Sequence, residues 1–143
     1  MGEIDVNILF NLFHSNDMDE ASVGNYTNVT ITPEYWLGMY KKLVLNHLNF
    51  KKKAIKFFKQ SNMELDIEEV KKAGEFVAYN RAWFYISKIN MKDKNHIEGI
   101  VSYGDVELET SLELSIKYFQ SLEEYEKCAH LLEILEKSQE FNS

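Results

Sequence analysis

The stretch from Glu64 to Lys92 constrains the fold of this chain more than any other, above all its second half, Glu75 to Ile89. Its first turns are amphipathic, with Ile67, Val70, Ala73 and Val77 at helical spacing and Glu68, Glu69, Lys71 and Lys72 on the other side. From Phe76 onward the apolar residues spread around the whole circumference, the pattern of a helix packed by neighbours on more than one side. The expectation is a long central helix in an all-α domain.

With 143 residues the chain suits a single domain over 1–143 that buries about two thirds of its unfolded surface. One cysteine, Cys128, excludes an internal disulfide, and His14, His47, His96 and His130 form no pair at metal-ligand helical spacing. The first residues lack a basic, apolar leader, and no run approaches the ~18 apolar residues of a membrane span. A reducing cytoplasm without membrane contact is therefore expected, and the sequons at Asn25 and Asn28 carry no weight there.

In chain order, residues 4–13 read as a short apolar helix, with a strand as the alternative. His14 to Ile31 is turn-rich, and the alternation from Thr27 to Thr32 reads as an extended connector. Thr32-Pro33-Glu34 then opens a helix: the threonine hydroxyl can accept first-turn amides, proline at the first position loses no hydrogen bond, and Glu34 faces the positive dipole end. Trp36, Tyr40, Leu43, His47, Phe50, Ala54 and Phe57 follow at spacings of four and three. They suit one helix reaching Gln60, or two short helices broken at Asn46 to Asn49.

The central helix is expected to fade between Asn90 and Asn95. Ile97, Ile100, Val101 and Tyr103 lie at near-helical spacing, weakened by Gly99 and Gly104. Asp105 to Glu140 reads as an αα-hairpin. Leu108, Leu112, Ser115, Ile116 and Phe119 face inward on its first helix. Tyr125, Cys128, Ala129, Leu131, Leu132 and Leu135 face inward on its second, and Ser121 to Glu124 reads as a capping box. Five to six helices result, organised as 1–31, a helical core over 32–104, and an acidic hairpin over 105–143.

The net charge of −7 argues against bulk nucleic-acid binding, but the charges are segregated. Residues 1–34 carry six acids and no base, whereas residues 35–63 carry seven lysines and no acid. Residues 105–143 hold ten acids against Lys117, Lys127 and Lys137. The abundance of Lys, Asn, Ile and Phe suggests an AT-rich genome, such as that of a bacteriophage or its host.

Tyr118 to Ala129 resembles the tetratricopeptide (TPR) family, in which a large residue closes helix A, an aromatic opens helix B and a small residue sits where the two touch. Phe119, Tyr125 and Cys128 match those positions. Trp36-Leu37-Gly38 with Tyr40 resembles a helix A opening, and Ala54 to Phe58 a helix B. Their separation is about one helical turn longer than the family pattern, no proline closes either hairpin, and Ala82 to Tyr85 falls out of period as a third unit. The resemblance implies a right-handed stack of hairpins whose concave face binds peptide or protein.

Arg81 is the sole arginine and neighbours Phe84 and Tyr85 at i+3 and i+4, so it can stack on a ring while reaching an anion. Arg81, Trp83 and Tyr85 are thus candidate partner contacts; the competing reading is an arginine paired internally with a glutamate. Lys51, Lys52, Lys53, Lys56 and Lys59, interspersed with phenylalanines, form a candidate nucleic-acid face or a solvated one. Glu123, Glu124 and Glu126 head the acidic hairpin, which reads as solvated surface, as a docking face for a basic partner, or as a mimic of nucleic acid. Cys128 and His130 point apart at i and i+2, and His47 on the apolar seam reads as a packed histidine. No phosphate loop, nucleophile elbow or metal-spaced acid pair occurs, so no enzyme and no cofactor are expected. These features favour a non-enzymatic protein-interaction module or small regulator. The alternative is a nucleic-acid-linked protein, acting through the lysine face or as an acidic inhibitor of a nucleic-acid enzyme.

Overall fold

In a computed structural model, which describes residues 31–61 and 67–140, the described residues form five helices and no strand. They are α1 (Pro33–Ser61), α2 (Ile67–Ile86), α3 (Lys94–Tyr103), α4 (Val106–Ser121) and α5 (Tyr125–Glu140). The expectations for residues 1–30 lie outside the described residues. No described helix is long and apolar enough to cross a membrane.

The helix around which the others are arranged is α1, not the expected Glu64–Lys92 segment. It runs unbroken for 29 residues and packs against α2, α3 and α4. Thr32 caps it as expected, its Oγ1 accepting the Tyr35 amide at 3.2 Å. Tyr40, Leu43, His47, Phe50 and Ala54 are buried along one seam, joined by Leu37, Val44 and Phe58. Asn46 to Asn49 make no turn, because His47 faces the core while Asn49 faces solvent. Trp36–Gly38 and Ala54–Phe58 therefore sit on one helix and are not helices A and B of a hairpin.

The second helix is shorter than its sequence suggests. It ends at Ile86, and the chain turns through Ser87 and Lys88 before Ile89 re-enters the core. Its circumference is not packed throughout, since Phe76 is 63% exposed and Phe84 and Val77 also face solvent. The inward face is Gly74, Tyr79, Ala82 and Ile86.

Asp93 caps α3 by accepting the Asn95 amide at 2.9 Å. The helix runs through Gly99, which lets α3 approach α1, because a β-carbon there would come within 3.2 Å of the Pro33 ring. Asp105 caps α4 through the Leu108 amide at 2.7 Å and also binds Lys41 of α1 at 2.9 Å, so one carboxylate starts a helix and ties it to another.

The α4–α5 hairpin forms as expected, and its turn does not. Ser121 is the last residue of α4, and its hydroxyl donates to the Tyr118 carbonyl at 2.6 Å, so no capping box forms. Glu123 takes a left-handed φ of 60°, and the amides of Glu123 and Glu124 fold back onto the carbonyls of Gln120 and Phe119. On α5, Leu131, Ile134 and Leu135 are buried, while Tyr125, Ala129 and Leu132 are exposed, contrary to expectation. The helical reason is the phase of the face: Leu131, Leu135 and Ser138 share one side, and Tyr125, Ala129 and Leu132 share another.

Inside the core the Tyr40 hydroxyl bonds the Ser111 carbonyl and Ser115 Oγ, linking α1 to α4. Burial raises its pKa, so it stays neutral and keeps its proton to donate.

Candidate functional site: a lysine-rimmed groove

Where α1, α2 and α4 meet, the surface opens into a groove of about 760 Å³. Leu48 and Lys51 come from α1, Lys72, Glu75, Phe76 and Tyr79 from α2, and Leu114, Lys117, Tyr118 and Ser121 from α4, with Leu122 of the following turn. Each helix contributes at helical spacing: 48 and 51, then 72, 75, 76 and 79, then 114, 117, 118 and 121. Tyr79 and Tyr118 stack in its wall with ring centroids 4.5 Å apart and planes within 17°.

Phe76 and Leu122 are the exposed large apolar residues of the lining, and neither is needed to fill the core. Around them the charge is mainly positive. Lys51 lies 3.9 Å from Glu75, a loose pair on a partly solvated rim. Lys72 and Lys117 make no ion pair among the described residues. Burial raises Tyr79 to about 12, with Glu75 and Tyr118 adding to it, and burial likewise raises Tyr118. Both phenols are therefore neutral at ordinary pH, and the lining combines apolar and aromatic side chains with three lysines and one glutamate.

The residues singled out in the sequence fall in several places. Arg81 is half-buried on α2. Trp83 packs its ring against Phe119 and His130, under the Lys127 ammonium, and so belongs to the join between α2 and the hairpin. Tyr85 meets Tyr35 of α1 edge-on, and the cation over Phe84 is Lys88 at 4.3 Å. Trp83 is thus turned towards the hairpin, whereas Tyr85, one helical turn from Arg81, meets α1. Glu123, Glu124 and Glu126 cluster at the hairpin turn, where Glu124 meets Lys127 at 3.4 Å.

Of the lysine block, Lys51 alone lines the groove. Lys52, Lys53, Lys56 and Lys59 are exposed and make no ion pair among the described residues. Phe58 is buried, and Phe57 packs on the cluster formed by Phe50, Ala54 and Phe58, so these rings are not offered for stacking on bases. Cys128 is a half-buried packing residue whose thiol reaches the Ile116 carbonyl at 3.5 Å. Burial raises its pKa and keeps it a thiol. No group of three or more potential metal ligands occurs among the described residues.

The groove was missed in the sequence because its parts lie far apart in the chain. The available signal was Phe76, one turn from Lys72 on a helix whose buried face lies elsewhere. No protein family, no curated protein and no solved structure matches this chain.

Proposed function

We propose that the protein is a non-enzymatic protein-interaction module that binds an amphipathic helix of a partner in the groove between α1, α2 and α4. The observation that carries this reading is the combination of exposed apolar side chains, Phe76 and Leu122 foremost, with Lys51, Lys72 and Lys117 in one groove. A helix seated there presents apolar anchors at i, i+3 or i+4 and i+7, which fill the floor. Acidic residues beside the anchors meet the lysines, which adds selectivity and speeds association. Phe76 is the expected hot spot, being a large exposed aromatic of the lining.

The TPR resemblance of the last hairpin supports the same class of function. Phe119 is buried near the end of α4, and the Cys128 thiol reaches the Ile116 carbonyl of the facing helix. Tyr125, the opening aromatic, departs from that pattern by facing solvent.

A random peptide-display selection against the immobilised protein tests the proposal. Enriched sequences should carry an apolar stripe at helical spacing with Asp or Glu beside it, and they should lose binding to the Lys72→Glu/Lys117→Glu protein. Enrichment of basic peptides, or indifference to the groove substitutions, would overturn it. Tight binding of a single-stranded oligonucleotide that falls steeply with salt and depends on Lys52, Lys53, Lys56 and Lys59 would instead establish the nucleic-acid reading.

A further inference from the structure

The outward face of α5 has the properties that the groove selects. Tyr125 is 62% exposed and Leu132 46% exposed, with exposed Ala129 between them. On a helix these three share one face over two turns, at i, i+4 and i+7. Glu126 and Glu133 run along the side of that stripe and Glu136 continues it, all three exposed. The stripe is thus an apolar ridge with one acidic edge, and the groove is an apolar trough that also carries Lys51, Lys72 and Lys117.

The two surfaces cannot meet within one copy. Leu114, Lys117 and Tyr118 of α4 face the groove. Ile116 and Phe119 of the same helix face α5, through Cys128 and Lys127. Groove and ridge therefore lie on opposite sides of the hairpin's first helix.

We infer that the groove accepts α5 of a second copy of this chain, giving a head-to-tail, heterologous self-association. This rests on the groove reading above and specifies an occupant for it. Contacts of this kind leave one groove and one ridge open at each end of a pair, so they continue into rings or filaments rather than stopping at a two-fold dimer. A ridge of two turns is a small contact, so the association is reversible and reads out as a concentration-dependent mass. Because lysines oppose glutamates at a solvated rim, salt weakens it.

Sedimentation over a concentration series tests the inference. The wild-type protein should rise above its 16.8 kDa chain mass with concentration and return towards it in high salt. Lys72→Glu/Lys117→Glu, which disables the groove, and Glu133→Lys/Glu136→Lys, which disables the ridge, should each remain monomeric. Mixed in equal amounts they should associate again, since an intact ridge then faces an intact groove and, at the further ends, reversed groove carboxylates face reversed ridge lysines; Phe76→Ser mixed with Leu132→Ser, whose further ends stay disabled, should stop at a heterodimer of twice the chain mass. Phe76→Ser and Leu132→Ser, which alter exposed residues, repeat the test without changing charge.

A monomer at every concentration into the millimolar range would overturn the inference, as would a mixture that fails to associate or a dimer that survives both charge reversals. If display-selected acidic peptides still bind the groove of such a monomer, only the self-association is wrong. If they do not, the groove reading falls with it.

Discussion

His47 sets a pH limit on the fold. It sits in the α1 seam, only 4% exposed, with its imidazole stacked near Phe50 and edge-on to Tyr79 at centroid distances of 6.1 and 5.5 Å. Its Nε2 is buried and has no hydrogen-bond partner among the described residues. Burial, and secondarily the Lys51 charge, lower its pKa from 6.5 to about 4. Because the folded pKa lies below the unfolded one, the unfolded chain takes up the proton first as the pH falls. The stability tied to the neutral ring is complete above about pH 6.5 and is lost progressively towards pH 4. The limiting loss is ~3 kcal/mol from a gap of this size. Over the range from pH 7 to pH 5 the same relation gives ~2 kcal/mol, which screening of the solvated Lys51 reduces to about 1 to 2 kcal/mol. Urea titrations of the wild type and of His47→Leu at both pH values isolate this contribution, because all other titrating groups are common to the two proteins. The advantage of the wild type over the variant should shrink by that amount at pH 5. Parallel pH profiles, or an imidazole that titrates near 6.5 by NMR in the folded protein, would refute the reasoning.

Two glycines in helix interiors should respond to alanine with opposite signs. A β-carbon at Gly38 meets nothing within 4 Å, so Gly38→Ala should stabilise by up to ~1 kcal/mol through helix propensity. At Gly74 it would lie 2.8 Å from Phe50 Cε1 and 3.4 Å from His47 Cε1, so Gly74→Ala should destabilise by roughly 1 to 3 kcal/mol despite the same propensity gain. Thermal denaturation checks both. At Asp105, burial raises the pKa, but the hydrogen bonds from Lys41 and the Leu108 amide outweigh it and hold the carboxyl below its usual value. Asp105→Ala should cost about 1 to 2 kcal/mol by urea denaturation as a lost cap, whereas Asp105→Asn, which keeps the cap and loses only a partly solvated ion pair, should cost under about 1 kcal/mol.

Local chemistry carried part of the fold into the sequence and long-range packing withheld the rest. Thr32, Pro33 and Glu34 announced α1 because capping is decided within one turn. The seam from Tyr40 to Ala54 was readable because burial repeats at the helical period. Its continuity through Asn46 to Asn49 was not, since those residues have modest helix propensity and the helix is sustained there by tertiary contacts such as His47 with Tyr79. Ser121 shows the converse case, a local capping signal overridden because α4 runs through it and its hydroxyl is satisfied inside its own helix. The aromatic second half of α2 misled for another reason. Apolar residues all around a helix are consistent with burial all around, but here Phe76 and Phe84 face solvent. A single sequence does not distinguish a ring that fills the core from one that waits for a partner.

That ambiguity is also where the groove originates. Lys51 is the last groove contact on α1, which continues to Ser61. Beyond this point α1 is backed by the N-terminal turns of α2, where Phe50, Ala54 and Phe58 meet Ile67 and Val70. On its other side Lys52 and Lys59 are exposed and Leu48 and Ile55 partly exposed. Leu48, Lys52, Ile55 and Lys59 recur on that side at three- and four-residue steps, so the groove's apolar and basic character is prolonged along α1. The segregation of seven lysines into residues 35–63 thus has a physical effect even though the whole chain is acidic. A net charge of −7 repels polyanions at long range, whereas an acidic helix brought close to this ridge meets only the local field of its lysines. On the proposed reading, long-range repulsion disfavours extended polyanions most, and contact with a short acidic helix rests on shape and on the local field of these lysines.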